Sequence, residues 1–218
     1  LATAFARPMS FINLGGAFDS SILSGHGYTY EGAKCGRLAA ALMEAQVMNP
    51  IIYFDELDKV SSCSRGEELF NTLVHLTDAA QNTHIRDRYF HGVDLDFSRC
   101  ILVFSYNDAS RIPPILLDRI ERLQMSPPTD DEKMRVIHEQ MLPRALQRVG
   151  DVALDIDEGA LSAVADHQRH EVGMRGIGKS LEGVVSAAAM CRTLGSGRVV
   201  GLKDAPVGAV DAAFANHI

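Results

Sequence analysis

The chain has no tryptophan, its aromatic residues amount to 6%, and no apolar stretch approaches the roughly 20 residues of a membrane helix. Its longest apolar runs, Pro50 to Phe54 and Val184 to Met190, exclude a helical membrane span. Positive charge is scarce as well. Against 28 Asp and Glu stand 21 Lys and Arg, a net charge of −7, so neither nucleic acid nor an anionic lipid surface is the expected partner. The four cysteines, at 35, 63, 100 and 191, include no close pair of the kind a zinc site uses, which predicts reduced thiols and a reducing compartment. His167 and His170 lie three apart on an expected helix, but no carboxylate or thiol completes a metal site, and the pair reads as a solvated helix face.

What remains suits a folded protein with a sizeable core. The 218 residues are 46% hydrophobic and 22% charged, enough for one α/β domain or two smaller subdomains. Up to about residue 125, short apolar runs alternate with helical stretches; beyond it the spacing is helical throughout. The first part predicts strands at Met9 to Leu14, Ile51 to Phe54 and Cys100 to Ser105, the last of a type buried on both faces of a parallel sheet. Helices are expected at Gly36 to Met48, ended by Asn49-Pro50, and at Glu67 to Ala80. After Ser126-Pro127-Pro128, Thr129 and Glu132 form a capping box for a helix with Met134, Ile137 and Met141 on one face. Further helices fit Asp157 to Gln168, Lys179 to Leu194 and Val210 to Asn216. The expected boundary therefore separates an α/β subdomain, 1–125, from an all-α one, 126–218.

The most informative stretch is Ile51-Ile52-Tyr53-Phe54-Asp55-Glu56, four apolar residues closing on two carboxylates at the C-terminal end of a buried strand. Ligands of open α/β sheets bind at that edge. Strand alternation points the two acids to opposite sides, so that Asp55 can hold the hydration shell of a Mg²⁺ while Glu56 aims a water at a phosphate. A solvated strand end followed by a helix cap is the bland alternative. Asn107 lies just past the next strand, where a neutral amide can orient an attacking water. In Pro114-Ile115-Leu116-Leu117-Asp118-Arg119, an apolar turn presents an arginine, the residue that stabilises charge developing on a transferring phosphoryl group. Pairing of Arg119 with Asp118 is the alternative there.

Several motifs in order resemble the AAA+ module of the Lon family of ATP-dependent proteases. They are Gly25-His26 to Tyr30-Glu31-Gly32-Ala33, Gly36-Arg37, Asn49-Pro50 to Phe54-Asp55-Glu56-Leu57-Asp58-Lys59, Gln81-Asn82, and Leu116-Leu117-Asp118-Arg119-Ile120-Glu121. The resemblance covers essentially the whole chain and is strongest from Met9 to about Gly150. It implies a P-loop NTPase-type parallel sheet followed by a helical lid, with ATP or ADP and Mg²⁺ at their junction. It makes Asp55 and Glu56 the Walker B pair, with Asp55 holding Mg²⁺ through water, and Asn107 sensor 1. Arg119 becomes an arginine finger acting on the ATP of an adjacent subunit, and Arg175, in Glu171-Val172-Gly173-Met174-Arg175-Gly176, the sensor 2 contact to the γ-phosphate. Tyr30 matches the aromatic residue of the pore loop that grips an unfolded polypeptide, with Glu31 beside it.

Gly173-Met174-Arg175-Gly176-Ile177-Gly178-Lys179-Ser180 fits the P-loop pattern letter for letter, but it follows a helical, increasingly polar stretch and lies after the acidic strand instead of before it. The reading is therefore that this segment is a decoy. The family's glycine-rich loop and its Lys belong just upstream of Leu1, on a central strand beside the sensor 1 strand, so the expectation is a piece of a longer protein, inactive in isolation. The sequence also departs from Lon at Glu31, where an aliphatic residue is usual, at Gly27-Tyr28, at Cys35 and at Glu67-Glu68. The implied function is the ATP-hydrolysing module of a Lon-like protease, working as a hexameric ring in the cytoplasm or mitochondrial matrix to unfold and translocate polypeptide. Two alternatives stand beside it: a ring subunit that does not turn over ATP, and a Lon-like remodelling ATPase without a protease domain.

Overall fold

A computed structural model of the chain describes residues 1–17, 19–27, 29, 32–61, 63–150, 155–167, 173–193 and 209–210. The chain divides into two compact units, Leu1–Leu123 and Gln124–Ile218.

The first unit opens with a one-turn helix, α1 (Ala2–Phe5), and strand β1 (Met9–Asn13). The short α2 (Ser21–Ser24) and α3 (Arg37–Ala45) lead to β2 (Ile51–Asp55), which is followed by α4 (Ser64–Thr77). A small hairpin, β3 (Ile85–Arg86) and β4 (Asp94–Leu95), precedes β5 (Ile101–Phe104) and a one-turn α5 (Pro114–Leu117). The strands β1, β2 and β5 form a parallel sheet in that order, with β2 central. Ile12 lies level with Phe54, and Phe54 with Phe104.

Alternation along the strands divides the sheet into two unlike faces. Ile12, Ile52 and Phe54 point to one, where Leu38 and Ala41 of α3 and Leu69, Leu73 and Leu76 of α4 bury them almost completely. The spacing of the α4 leucines, four then three, is one helical stripe. Phe54 and Phe104 stack there with ring centres 4.9 Å apart. On the opposite face Phe11 stacks on Tyr53 at 5.3 Å, yet Phe11 and Met9 remain about half exposed. β5 differs from expectation: each of its residues is only partly buried. Among the described residues it pairs with β2 alone, so it is an edge strand and not the doubly covered one its apolar run predicts.

Helix limits also shift for local reasons. α3 stops at Ala45 because Gln46 turns left-handed and closes its amide onto Leu42. α4 stops at Thr77 because Asp78 is extended, and the Asp78 carbonyl then accepts from the Gln81 and Asn82 amides.

The second unit contains α6 (Asp130–Val136), a π-helical turn over Ile137–Met141, α7 (Leu142–Arg148), α8 (Glu158–His167) and α9 (Arg175–Thr193). Thr129 and Glu132 make the expected capping box. The π turn has a cause in the sequence: Pro143 has no N–H to give the Glu139 carbonyl and its ring crowds it, and the Leu142 amide bonds five residues back to Ile137. Ile177, Leu181, Val184, Val185 and Ala188 of α9 form one stripe packed with Ile137, Ala145, Leu161 and Val164. Two-residue strands β6 (Asp155–Ile156) and β7 (Ala209–Val210) pair in parallel, so Val210 is extended where a helix is expected, and 211–216 lie outside the described residues.

In the first unit the segment 26–35 is closed by a neck. Gly25 has a positive φ of 74°, backbone that favours glycine. The His26 amide donates to the Lys34 carbonyl at 3.1 Å. Beneath the neck lies Asp87, only 4% exposed, which accepts from the Gly36 amide at 2.7 Å and from the Tyr89 amide at 2.8 Å. Gly36 itself leaves no room for a side chain: a Cβ would stand 2.0 Å from the Leu23 carbonyl oxygen and 2.6 Å from the Gly25 nitrogen, both backbone atoms. Gly36→Ala is expected to force the neck apart and to destabilise the first unit by about 2–3 kcal/mol. Denaturant unfolding of both forms measures this, and an unchanged midpoint would contradict the close approach.

Candidate functional site

The carboxylates at the end of β2 are held by both neighbouring strands. Asp55, the last strand residue, sends its carbonyl to the Leu14 amide on the β1 side at 2.9 Å. On the β5 side its Oδ1 accepts from the Ser105 hydroxyl, and it also accepts from the Glu56 amide at 3.0 Å. Oδ2 meets no protein donor among the described residues and lies at the C-terminal edge of the sheet.

Glu56 is left-handed, with φ 58° and ψ 43°. For a residue with a Cβ this conformation costs roughly 1 kcal/mol. The surrounding backbone fixes it: the Leu57 amide donates to the Ser105 carbonyl at 3.0 Å, and the Lys59 amide to the Glu56 carbonyl at 2.9 Å. The two acids therefore diverge because the chain turns at Glu56, not because a strand alternates through it. The Glu56 carboxylate lies on the β1 side, against Gly15, where a Cβ would stand 1.8 Å from Glu56 Oε2 and 2.9 Å from Asn13 Oδ1. Glycine at 15 is what leaves space for that carboxylate.

A third acid, Asp58, organises the turn from below. It is 2% exposed, its Oδ1 accepts from the Asn107 amide at 3.3 Å, and the Lys59 ammonium lies 2.9 Å from Oδ2. Burial by itself would raise its pKa. The Lys59 ammonium and the Asn107 amide outweigh that and hold the carboxyl below the usual carboxylate range. Asp58 thus ties the loop bearing Asn107 to the turn bearing Asp55 and Glu56, while the Asn107 side chain stays exposed. Sequence reasoning gave no role to Asp58 or Ser105. The available signal for Asp58 was a second Asp three residues after the first, between the apolar Leu57 and the basic Lys59.

Arg119 pairs with Asp78, not with its neighbour Asp118: Nη1 stands 3.0 Å from Asp78 Oδ2. The Ala80 amide holds the Asp78 carboxyl below its usual range; partial burial opposes this and Arg119 adds to it. Arg175 belongs to the second unit, where it is exposed and opens α9. The decoy pattern does not form a phosphate loop there, because residues 175–180 are already helical and the Gly178 amide is spent on the Met174 carbonyl. Tyr30, Glu31 and His170 lie outside the described residues. The Cys100 thiol, pushed up to about 11 by burial and then by Asp96, is inert at neutral pH. No helix among the described residues is long and apolar enough to cross a membrane.

Asp55, Glu56 and the Asn107 loop therefore share the C-terminal edge of one sheet, an edge at which α/β proteins bind ligands. The profile of the ATPase family associated with various cellular activities (AAA) matches residues 1–128, which include this edge. Over 188 residues the chain is 32% identical to a Lon protease homolog of Acanthamoeba polyphaga mimivirus, covering 85% of this chain and 18% of that protein. It is 35% identical over 195 residues to the Lon protease of Salinispora arenicola, 88% of this chain and 25% of the other. With the mitochondrial Lon protease homolog of Schizosaccharomyces pombe it shares 33% over 184 residues, 84% and 17% respectively. The chain thus spans 17% to 25% of the length of these relatives. A parallel sheet with acids on its central strand, followed by a helical unit, agrees with both comparisons: the chain belongs to the AAA family of ATPases, and its module is Lon-like.

Proposed function

We propose that this chain is the ATP-binding and ATP-hydrolysing module of a Lon-like ATP-dependent protease, and that it drives the unfolding and translocation of polypeptide. The observation that supports this most is the end of β2, where Asp55 and Glu56 diverge from one backbone-clamped turn and Asp58 holds the Asn107 loop beside it. A scaffold has no need of a left-handed glutamate there. In this reading residues 1–125 are the large subdomain, which carries the acids that serve ATP, and 126–218 are the lid. The edge of β5 is where such a module carries the strand feeding its glycine-rich loop.

Asp55 suits a divalent cation. Its Oδ1 is committed to Ser105 and to the Glu56 amide, whereas Oδ2 meets no protein donor among the described residues, which leaves one oxygen to accept from metal-bound water. A Mg²⁺ held there through water would supply positive charge to the phosphates of a bound nucleotide. Glu56 is the general base for the attacking water, and the glycine at 15 leaves room for its carboxylate. Asn107 orients that water. Arg119 acts on ATP bound by an adjacent subunit and Arg175 on the γ-phosphate in its own, so turnover requires a ring, a hexamer by resemblance. Tyr30, with Glu31 beside it, grips the substrate on the segment closed by the Gly25–Gly36 neck. Cys35 and Cys100, free thiols among the described residues, fit a reducing compartment such as the cytoplasm or mitochondrial matrix.

Two substitutions test the reading in the protein expressed from its full reading frame. Glu56→Gln is expected to retain ATP binding, measured with a fluorescent analogue, and to lower the rate of phosphate release about 10²–10⁴-fold. Unchanged turnover removes Glu56 from the mechanism. Arg119→Ala is expected to lower turnover roughly 10³-fold or more with nucleotide binding preserved. Mixed with Glu56→Gln subunits, it should recover activity only if the arginine acts across the interface, and retention of full activity by Arg119→Ala alone excludes the finger role.

A further inference from the structure

We infer that Asp78 is the positioning residue for Arg119, fixing where the guanidinium can meet a phosphate on a neighbouring subunit; the inference rests on the finger role proposed above.

The geometry around Asp78 is unusually complete for a residue at the end of a helix. Its Oδ1 accepts from the Ala80 amide at 2.9 Å, and Oδ2 accepts from the Gln81 side-chain amide at 3.0 Å and faces Arg119 Nη1 at 3.0 Å. The Asp78 carbonyl accepts from the Gln81 and Asn82 amides at 3.0 and 2.9 Å. The Gln81 side-chain oxygen is in turn engaged by His75 Nδ1. Backbone and side chain are therefore both fixed, on a tight turn that caps α4 behind the buried stripe of Leu69, Leu73 and Leu76. The arginine is equally anchored at its root: its amide donates to the Leu116 carbonyl at 3.1 Å, and Leu116 is fully buried.

This contact fixes the arginine without using it up. A guanidinium carries five N–H donors, and the carboxylate engages it through one nitrogen on one oxygen. The Asp78 side chain is 19% exposed and that of Arg119 32%, and among the described residues the guanidinium makes no other ion pair, which leaves it donors for an incoming anion. α4, whose C-terminal end Asp78 caps, runs 14 residues from Ser64 to Thr77, about 20 Å of helix. A freely rotating arginine would have to be ordered at each turnover, whereas one held by a fixed acceptor is already placed.

Asp78→Asn is the sharpest test because it is isosteric. The asparagine carbonyl oxygen still accepts from Ala80, and asparagine suits such a turn, while the atom facing Arg119 changes from an acceptor to a donor. In the full protein, kcat for ATP is expected to fall about 10–100-fold with KM and the thermal midpoint unchanged. Subunits carrying Asp78→Asn together with Glu56→Gln, mixed into wild-type rings, should depress wild-type turnover more than Glu56→Gln subunits do, since the fault lies in what they offer their neighbours. An unchanged or raised kcat, or no added depression on mixing, overturns the inference. If Asp78→Asn lowers the thermal midpoint, Asp78→Glu decides: partial recovery of kcat upholds the positioning role, and a folded variant without recovery overturns it. Loss of turnover in Arg119→Ala beside normal turnover in Asp78→Asn would sink this inference alone, whereas normal turnover in Arg119→Ala would sink the finger reading itself.

Discussion

The end of β2 is clamped from both sides by the main chain: the Leu14 amide takes the Asp55 carbonyl, and the Leu57 amide bridges to the Ser105 carbonyl. The rest of the site depends on this clamp. A left-handed glutamate on a free loop would relax to an ordinary conformation, and its neighbour's carboxylate would wander with it. Held between parallel strands, the turn sends Asp55 toward the β5 seam and Glu56 toward the β1 seam, and two chemically identical groups acquire different surroundings. This divergence is built almost entirely from backbone hydrogen bonds and one buried Asp.

Much of this was legible in the sequence because it follows from periodicity. Short apolar runs bounded by Asn-Pro, Asp-Glu or polar turns marked β1, β2 and β5 to within a residue or two, and Thr129 with Glu132 marked the start of α6. The acids at 55 and 56, the amide at 107 and the arginine at 119 stood out because each followed an apolar segment at a point where a sheet edge or an interface was expected. The partial burial of β5 was not legible, since an apolar run reads the same in a central strand and in an edge strand. Nor were the partners of the charged groups. Asp118 is next to Arg119 in sequence, but the extended backbone at Asp78 turns the end of α4 toward the arginine, a contact spanning some forty residues that no local pattern encodes. The short hairpin β3–β4 and the π turn before Pro143 also escaped notice, being too short for a periodic signal.

The two units rest on different logic. In the first, strand register sets where functional atoms lie, and helices serve chiefly to cover one face of the sheet. In the second, a single stripe along α9 gathers the other helices, and the polar residues at its start, including Arg175, stay outside the core. A P-loop pattern that runs into that helix shows how little a motif means without its context: the same letters are helical from Arg175 on, and the Gly178 amide is spent on the Met174 carbonyl, so no phosphate-cradling loop forms.

Pinching both ends of the 26–35 segment over one buried carboxylate separates two kinds of evolutionary freedom. Gly25, Gly36 and Asp87 belong to the frame and tolerate little change, because backbone atoms crowd each of the two glycines. The neck itself places no demand on the side chains between its two ends, so their chemistry can change while the frame stays as it is.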